Sequence, residues 1–90
     1  MRFSITAADI EQGEPCNGYR CPVALALNRQ LPGGPWHVSS GGEIHKTNGV
    51  NPYGPVKSVL PEGARTFIEL FDCERGKTLV QPSEFDIEAL

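Results

Sequence analysis

The chain is predicted to fold as an α+β two-layer sandwich, with an antiparallel sheet carrying two helices on one face. Three observations lead to this class. Cys21-Pro22-Val23-Ala24-Leu25-Ala26-Leu27 is the most apolar run, and its proline suits the first turn of a helix, where a missing N–H costs nothing. Ala64, Phe67, Ile68 and Phe71 recur at i, i+3, i+4 and i+7, one apolar face of a second helix. The segments around the two helices alternate apolar with polar residues and end in Gly, Pro or Asn, as strands do. The order is ferredoxin-like, β-α-β-β-α-β, with an elaborated middle hairpin. Ninety residues make a single α+β domain, 1–90, near the small end of the usual range.

Each element has its own local signal. Phe3 and Ile5 alternate with Arg2 and Ser4, so residues 2–6 read as a first strand. Thr6-Ala7-Ala8-Asp9 has capping-box spacing with Asp in the place of Glu or Gln, which gives a short helical turn at 7–11 or else a polar loop. Residues 12–20 are turn-rich. In the helix at about 21–30, Val23, Ala24, Leu27 and Leu31 form a stripe that Leu25 and Ala26 widen, so it lies mostly buried across the sheet. Pro32-Gly33-Gly34-Pro35 ends it.

Trp36-His37-Val38-Ser39-Ser40 is the next strand, Gly41-Gly42 a two-residue turn with both glycines at positive φ, and Glu43-Ile44-His45-Lys46 the returning strand. Val38 and Ile44 then face the core, while His37 and His45 share the other face. Thr47 to Gly54 is loop, with a second turn signal at Asn48-Gly49. Residues 55–60 resume as strand, Val56 and Ser58 opposing Lys57 and Val59. In the helix from Pro61 to Asp72, Glu62 complements the N-terminal dipole, Arg65 and Glu69 make an outward i,i+4 pair, and Gly76 supplies the stop. Leu79-Val80 and then Phe85 to Leu90 form a last strand, with Phe85, Ile87 and Ala89 on one face.

Composition excludes several classes. A net charge of -3 argues against a nucleic-acid binder, which needs a basic stripe. No apolar run approaches the ~20 residues that span a bilayer. Met1 to Thr6 lacks the apolar region of a signal peptide, and three cysteines, an odd number, fit free thiols in a reducing compartment. The expected location is the cytoplasm.

Chemistry-bearing residues are sparse. Cys16 and Cys21, with a histidine, make half of a zinc site, so no metal is assigned. Cys21 at a helix N-terminus has the position of an activated thiolate, yet a small buried side chain explains it better, and no catalytic residue is assigned. Gly33-Gly34 and Gly41-Gly42 lack the strand–loop–helix context of a phosphate loop, and no cofactor is implied. The acidic residues near the C-terminus read as a solvated edge. The strongest cluster is Trp36, His37, His45, Lys46 and Tyr53: aromatic, imidazole and ammonium groups that suit a nucleotide-like anion or a protein interface.

The chain resembles a loose group of small uncharacterised phage and prophage proteins. The shared frame is carried here by Cys21 to Leu27, Leu60-Pro61, Ala64, Phe67-Ile68, Phe71-Asp72, Gly76, and Pro82 with Phe85. The frame consists of core and turn residues, so the resemblance implies the fold and a phage or prophage origin, and assigns no activity. Residues 33–55 depart from it.

The expected function is therefore a non-enzymatic interaction protein, phage- or prophage-encoded, that binds and modulates a host protein in host takeover or counter-defence. The alternative is a nucleotide-type small-molecule binder with an intersubunit site in a homodimer, since so small a domain has little room for a pocket of ~300 Å3. A Cys21-dependent enzyme is a distant third.

Overall fold

The apolar run sits at the centre of the core, where Val23, Ala24, Ala26 and Leu27 are fully buried. The computed structural model describes every residue except Gly49, Pro52 and Ala89, so the turn expected at Asn48-Gly49 and the place of Ala89 lie outside the described residues. In chain order the elements are β1 (Arg2–Ile5), α1 (Ala7–Gln12), α2 (Pro22–Gln30), β2 (Trp36–Val38), β3 (Glu43–Lys46), β4 (Val56–Val59), α3 (Glu62–Phe71), α4 (Gly76–Leu79) and β5 (Ser83–Asp86). The class is α+β, in two layers, as the sequence predicts.

Where the sequence predicts one sheet, the structure has two. β1 pairs antiparallel with β5, and β2, β3 and β4 form an antiparallel meander. Helix α2 lies against both β1 and β2, and its polar side chains occupy backbone groups that a joining strand would have used. Gln30 accepts from the Ser4 amide at 2.9 Å and donates to the Ser4 carbonyl at 2.6 Å. Asn28 accepts from the Trp36 amide at 2.7 Å and donates to the Trp36 carbonyl at 3.0 Å. Each carboxamide thus imitates a strand partner. Further along β2, the Val38 amide bonds to the Gly18 carbonyl. With those edges filled, the sheets stay separate.

The capping box at Thr6 and Asp9 forms with both bonds present, and α1 runs to Gln12. Asp9, nearly buried, also takes a 2.6 Å ion pair from Arg29, which ties α1 to α2. On α3, Ala64, Phe67 and Phe71 are buried and Ile68 packs beside them. Phe3 and Phe85 meet across the β1–β5 pair, ring centroids 6.1 Å apart.

Four local expectations are corrected. The β2–β3 loop is one residue longer than a two-residue turn: Ser39 bonds to Glu43, and only Gly42 takes a positive φ (84°). Arg65 does not pair with Glu69 among the described residues; its stem lies over Gly42, where a Cβ would come within 2.6 Å of it. Gly76 opens α4 instead of stopping α3, and it must be glycine because a Cβ there would fall 1.7 Å from the Phe71 carbonyl oxygen. Leu79 accordingly belongs to a helical turn, and β5 begins only at Ser83.

Among the described residues, no helix is long and apolar enough to cross a membrane. The carboxamide bridges set a testable energy. Asn28→Ala leaves the Trp36 amide and carbonyl without these partners, and Gln30→Ala leaves the Ser4 amide without its partner while the Ser4 carbonyl keeps a longer bond from Arg29. Each is expected to lower stability by about 1–3 kcal/mol in urea denaturation, Asn28→Ala the more.

Candidate functional site

The five candidate residues divide between the two faces of one hairpin. Trp36 pairs with Lys46, His37 with His45, and Val38 with Ile44, so alternation puts Trp36, Val38, Ile44 and Lys46 on one side and both histidines on the other. Trp36 is buried and donates its indole N–H to the Leu31 carbonyl at 3.1 Å. The Lys46 ammonium lies 5.5 Å from the Trp36 ring centroid and donates to the carbonyls of Gly33 and Gly34. These two residues clamp the corner between α2 and β2. They are not brought together with the histidines.

His37, His45 and Tyr53 do come together. Their ring centroids lie 6.1 Å apart for the two histidines, 5.7 Å for His37 and Tyr53, and 5.8 Å for His45 and Tyr53. Tyr19 completes the group, edge-on to His37 at 4.8 Å. It was not among the sequence candidates, although a signal exists. Asn17-Gly18-Tyr19 and Asn51-Pro52-Tyr53 share the form Asn-x-Tyr, and in both the asparagine Oδ1 accepts the tyrosine amide at 3.0 Å. The side chain folds its own loop and delivers the ring two residues on. Gly18 is required here, since a Cβ would lie 2.2 Å from His37 Nε2.

The cluster is poorly satisfied. His37 and His45 are 8% and 6% exposed, yet among the described residues His37 Nδ1, His45 Nε2 and the Tyr19 hydroxyl are buried without a hydrogen-bond partner. His45 Nδ1 donates to the Gly54 carbonyl at 2.8 Å; a carbonyl only accepts, so Nδ1 carries a proton. Its Nε2 stands 3.9 Å from Glu43 Oε1. Burial pushes the His37 pKa down, and a positive charge on the neighbouring His45 ring would push the same way.

Beside the cluster opens a cleft of about 290 Å3. Its walls come from the loop at Cys16 and Gly18, the start of α2 at Cys21, β2 and its loop at His37 and Ser40, Tyr53, and the end of α3 at Asp72. Cys16 holds a left-handed backbone (φ 55°), a strained state for a non-glycine residue, and its amide donates to Asp72 Oδ1 at 2.8 Å. Cys21 caps α2 with its sulfur, accepting from the Ala24 amide at 3.4 Å. Burial pushes this thiol's pKa up, against the pull of the Ala24 and Val23 amides, so the activated thiolate is not favoured. Among the described residues no group of three or more His, Cys, Asp or Glu is placed to hold a metal ion.

The outer face of the three-stranded sheet also carries apolar groups. Glu43 pairs with Val59, Ile44 with Ser58, and His45 with Val56, so Lys57 is an extra residue in a β-bulge. The bulge corrects the alternation expected for this strand. Val56 and Val59, opposite His45 and Glu43, lie on the histidine face, while Ser58 turns inward. They are 48% and 54% exposed, and Tyr53 is 70% exposed.

The depressed His37 pKa has a signed consequence. Below about pH 6.5 the unfolded chain takes up a proton that the folded chain resists, so this contribution to stability is complete above that pH and is lost as pH falls. Urea denaturation at pH 8 and pH 5.5 is expected to show a smaller loss on acidification for His37→Gln than for the parent chain.

Comparison with protein-family models, with curated proteins and with solved structures gave no match, so the reading of this face rests on its own chemistry.

Proposed function

We propose that the chain is a small non-enzymatic interaction protein, which binds a partner protein through the outer face of its three-stranded sheet. The observation that carries this reading is the bulge at Lys57, which keeps Val56 on the same side as Val59, the face on which exposed Tyr53 packs against His37 and His45. Folding gains nothing from leaving two valines and a tyrosine ring in water. Half-exposed apolar side chains with an aromatic anchor on one sheet face, the aromatic also walling a cleft, are a form that a protein contact takes. The resemblance to small phage and prophage proteins supplies the setting, a host protein whose activity the bound chain alters or blocks.

The two other readings have less support. A nucleotide-type ligand needs cations for its phosphates, but Lys46 is engaged behind the hairpin and among the described residues no Lys or Arg lines the cleft. An enzyme using Cys21 needs a thiolate, and this thiol is buried with its pKa raised.

Capture from bacterial host lysate tests the proposal. The parent chain is expected to retain a defined protein that Val56→Asp and Val59→Asp retain at least tenfold less. Both side chains are half-exposed, so the stability loss is expected to stay within about 1–2 kcal/mol, from weaker strand propensity and, at Val59, the opposed Glu43 charge. Equal retention by parent and variants would sink the reading.

A further inference from the structure

We infer that the cleft between Tyr53 and Asp72 receives an arginine side chain of the partner protein. This rests on the interaction reading above and names the chemistry of its anchor. Among the described residues, Asp72 is the only acidic or basic side chain other than the buried His37 ring and the thiols that lines the cleft. It is half-buried, and among the described residues no Lys or Arg reaches it within salt-bridge distance. One of its oxygens, Oδ1, is committed to the Cys16 amide. The other is free to accept. The carboxylate also stands at the C-terminal end of α3, whose last turn holds no basic residue, so the helix dipole adds to its negative field.

The α2 N-terminus opens on the same cleft and, left bare, would favour an anion. It is disarmed. Pro22 has no N–H, the Ala24 amide is taken by the Cys21 sulfur, and the Leu25 amide by the Cys21 carbonyl. The remaining polar groups of the wall carry no charge of their own to draw an anion. His37 is more than nine-tenths buried there, its Nδ1 without a hydrogen-bond partner among the described residues, and the Ser40 hydroxyl is able to accept as well as donate. The exposed ring of Tyr53 gives a flat surface for a planar cation.

Guanidinium meets these demands better than ammonium. It is planar, so it stacks on Tyr53, and its several N–H groups reach a carboxylate and a second acceptor at once. A volume of about 290 Å3 holds one such side chain and little more. A partner therefore inserts one residue here and lays apolar side chains on Val56 and Val59.

The test is an NMR titration of the 15N-labelled chain with three probes: a seven-residue peptide with central arginine, the same peptide with central citrulline, and agmatine. The arginine peptide is expected to shift the amides of Cys16, Gly18, Ser40 and Asp72 saturably. The citrulline peptide, equal in shape but uncharged, is expected to bind at least tenfold more weakly. Asp72→Asn keeps an acceptor for the Cys16 amide and removes the charge, and is expected to abolish the difference between the two peptides. Equal binding of arginine and citrulline peptides by the parent chain overturns the proposal, as do shifts that avoid the cleft. Agmatine binding as tightly as the arginine peptide overturns the protein source of the cation. If Asp72→Asn still captures the lysate partner while Val56→Asp does not, the arginine anchor fails and the interaction reading stands.

Discussion

Two carboxamides on one helix hold this small fold in its arrangement. Asn28 and Gln30 each close a two-way pair with a strand residue, Trp36 and Ser4, and those residues belong to different sheets. A buried strand edge must find partners for its N–H and C=O groups. Here α2 supplies them from its side chains while its apolar stripe fills the core. A single helix is thereby fixed in height and rotation against both sheets. The corner that follows depends on that placement, for Trp36 must reach the Leu31 carbonyl and Lys46 must reach Gly33 and Gly34.

Periodicity made much of this legible. The two long helices, the Thr6–Asp9 box and the sharing of one face by His37 and His45 follow from spacing alone, because each is set within a few residues. The division into two sheets was not legible. It depends on which side chains of α2 meet which strand edge, and asparagine and glutamine in a helix look like solvated residues until the strands are placed. The bulge at Lys57 was hidden for a similar reason, since register depends on the partner strand as well as on the strand itself. Of the candidate site, three residues came together and two did not. Proximity in sequence grouped Trp36 and Lys46 with the histidines, but the strand's period of two sent them to the other side.

The two faces of the β2–β3 hairpin differ in how fully they are satisfied. On the inner side, indole, ammonium and carboxamide groups all find backbone partners within the chain. On the outer side, three buried polar atoms have none among the described residues, and two valines and a tyrosine meet solvent. Native chains satisfy buried polar groups almost everywhere, and departures gather where something outside the chain completes them. That asymmetry is what separates scaffold from surface here, more than any motif does.

The bulge lets this surface tolerate a change of chain length. Val56 and Val59 stand three positions apart, and they share a face only because the bulge takes Lys57 out of the alternation. Deleting Lys57 together with its bulge would leave the two valines at alternate positions of a regular strand, still on one face, while Ile44 and the helices behind it kept their contacts. Straightening the bulge with Lys57 in place would instead turn one valine to the opposite face. What the sheet displays is thus set by the pairing register with β3, and the number of residues in β4 matters only through it.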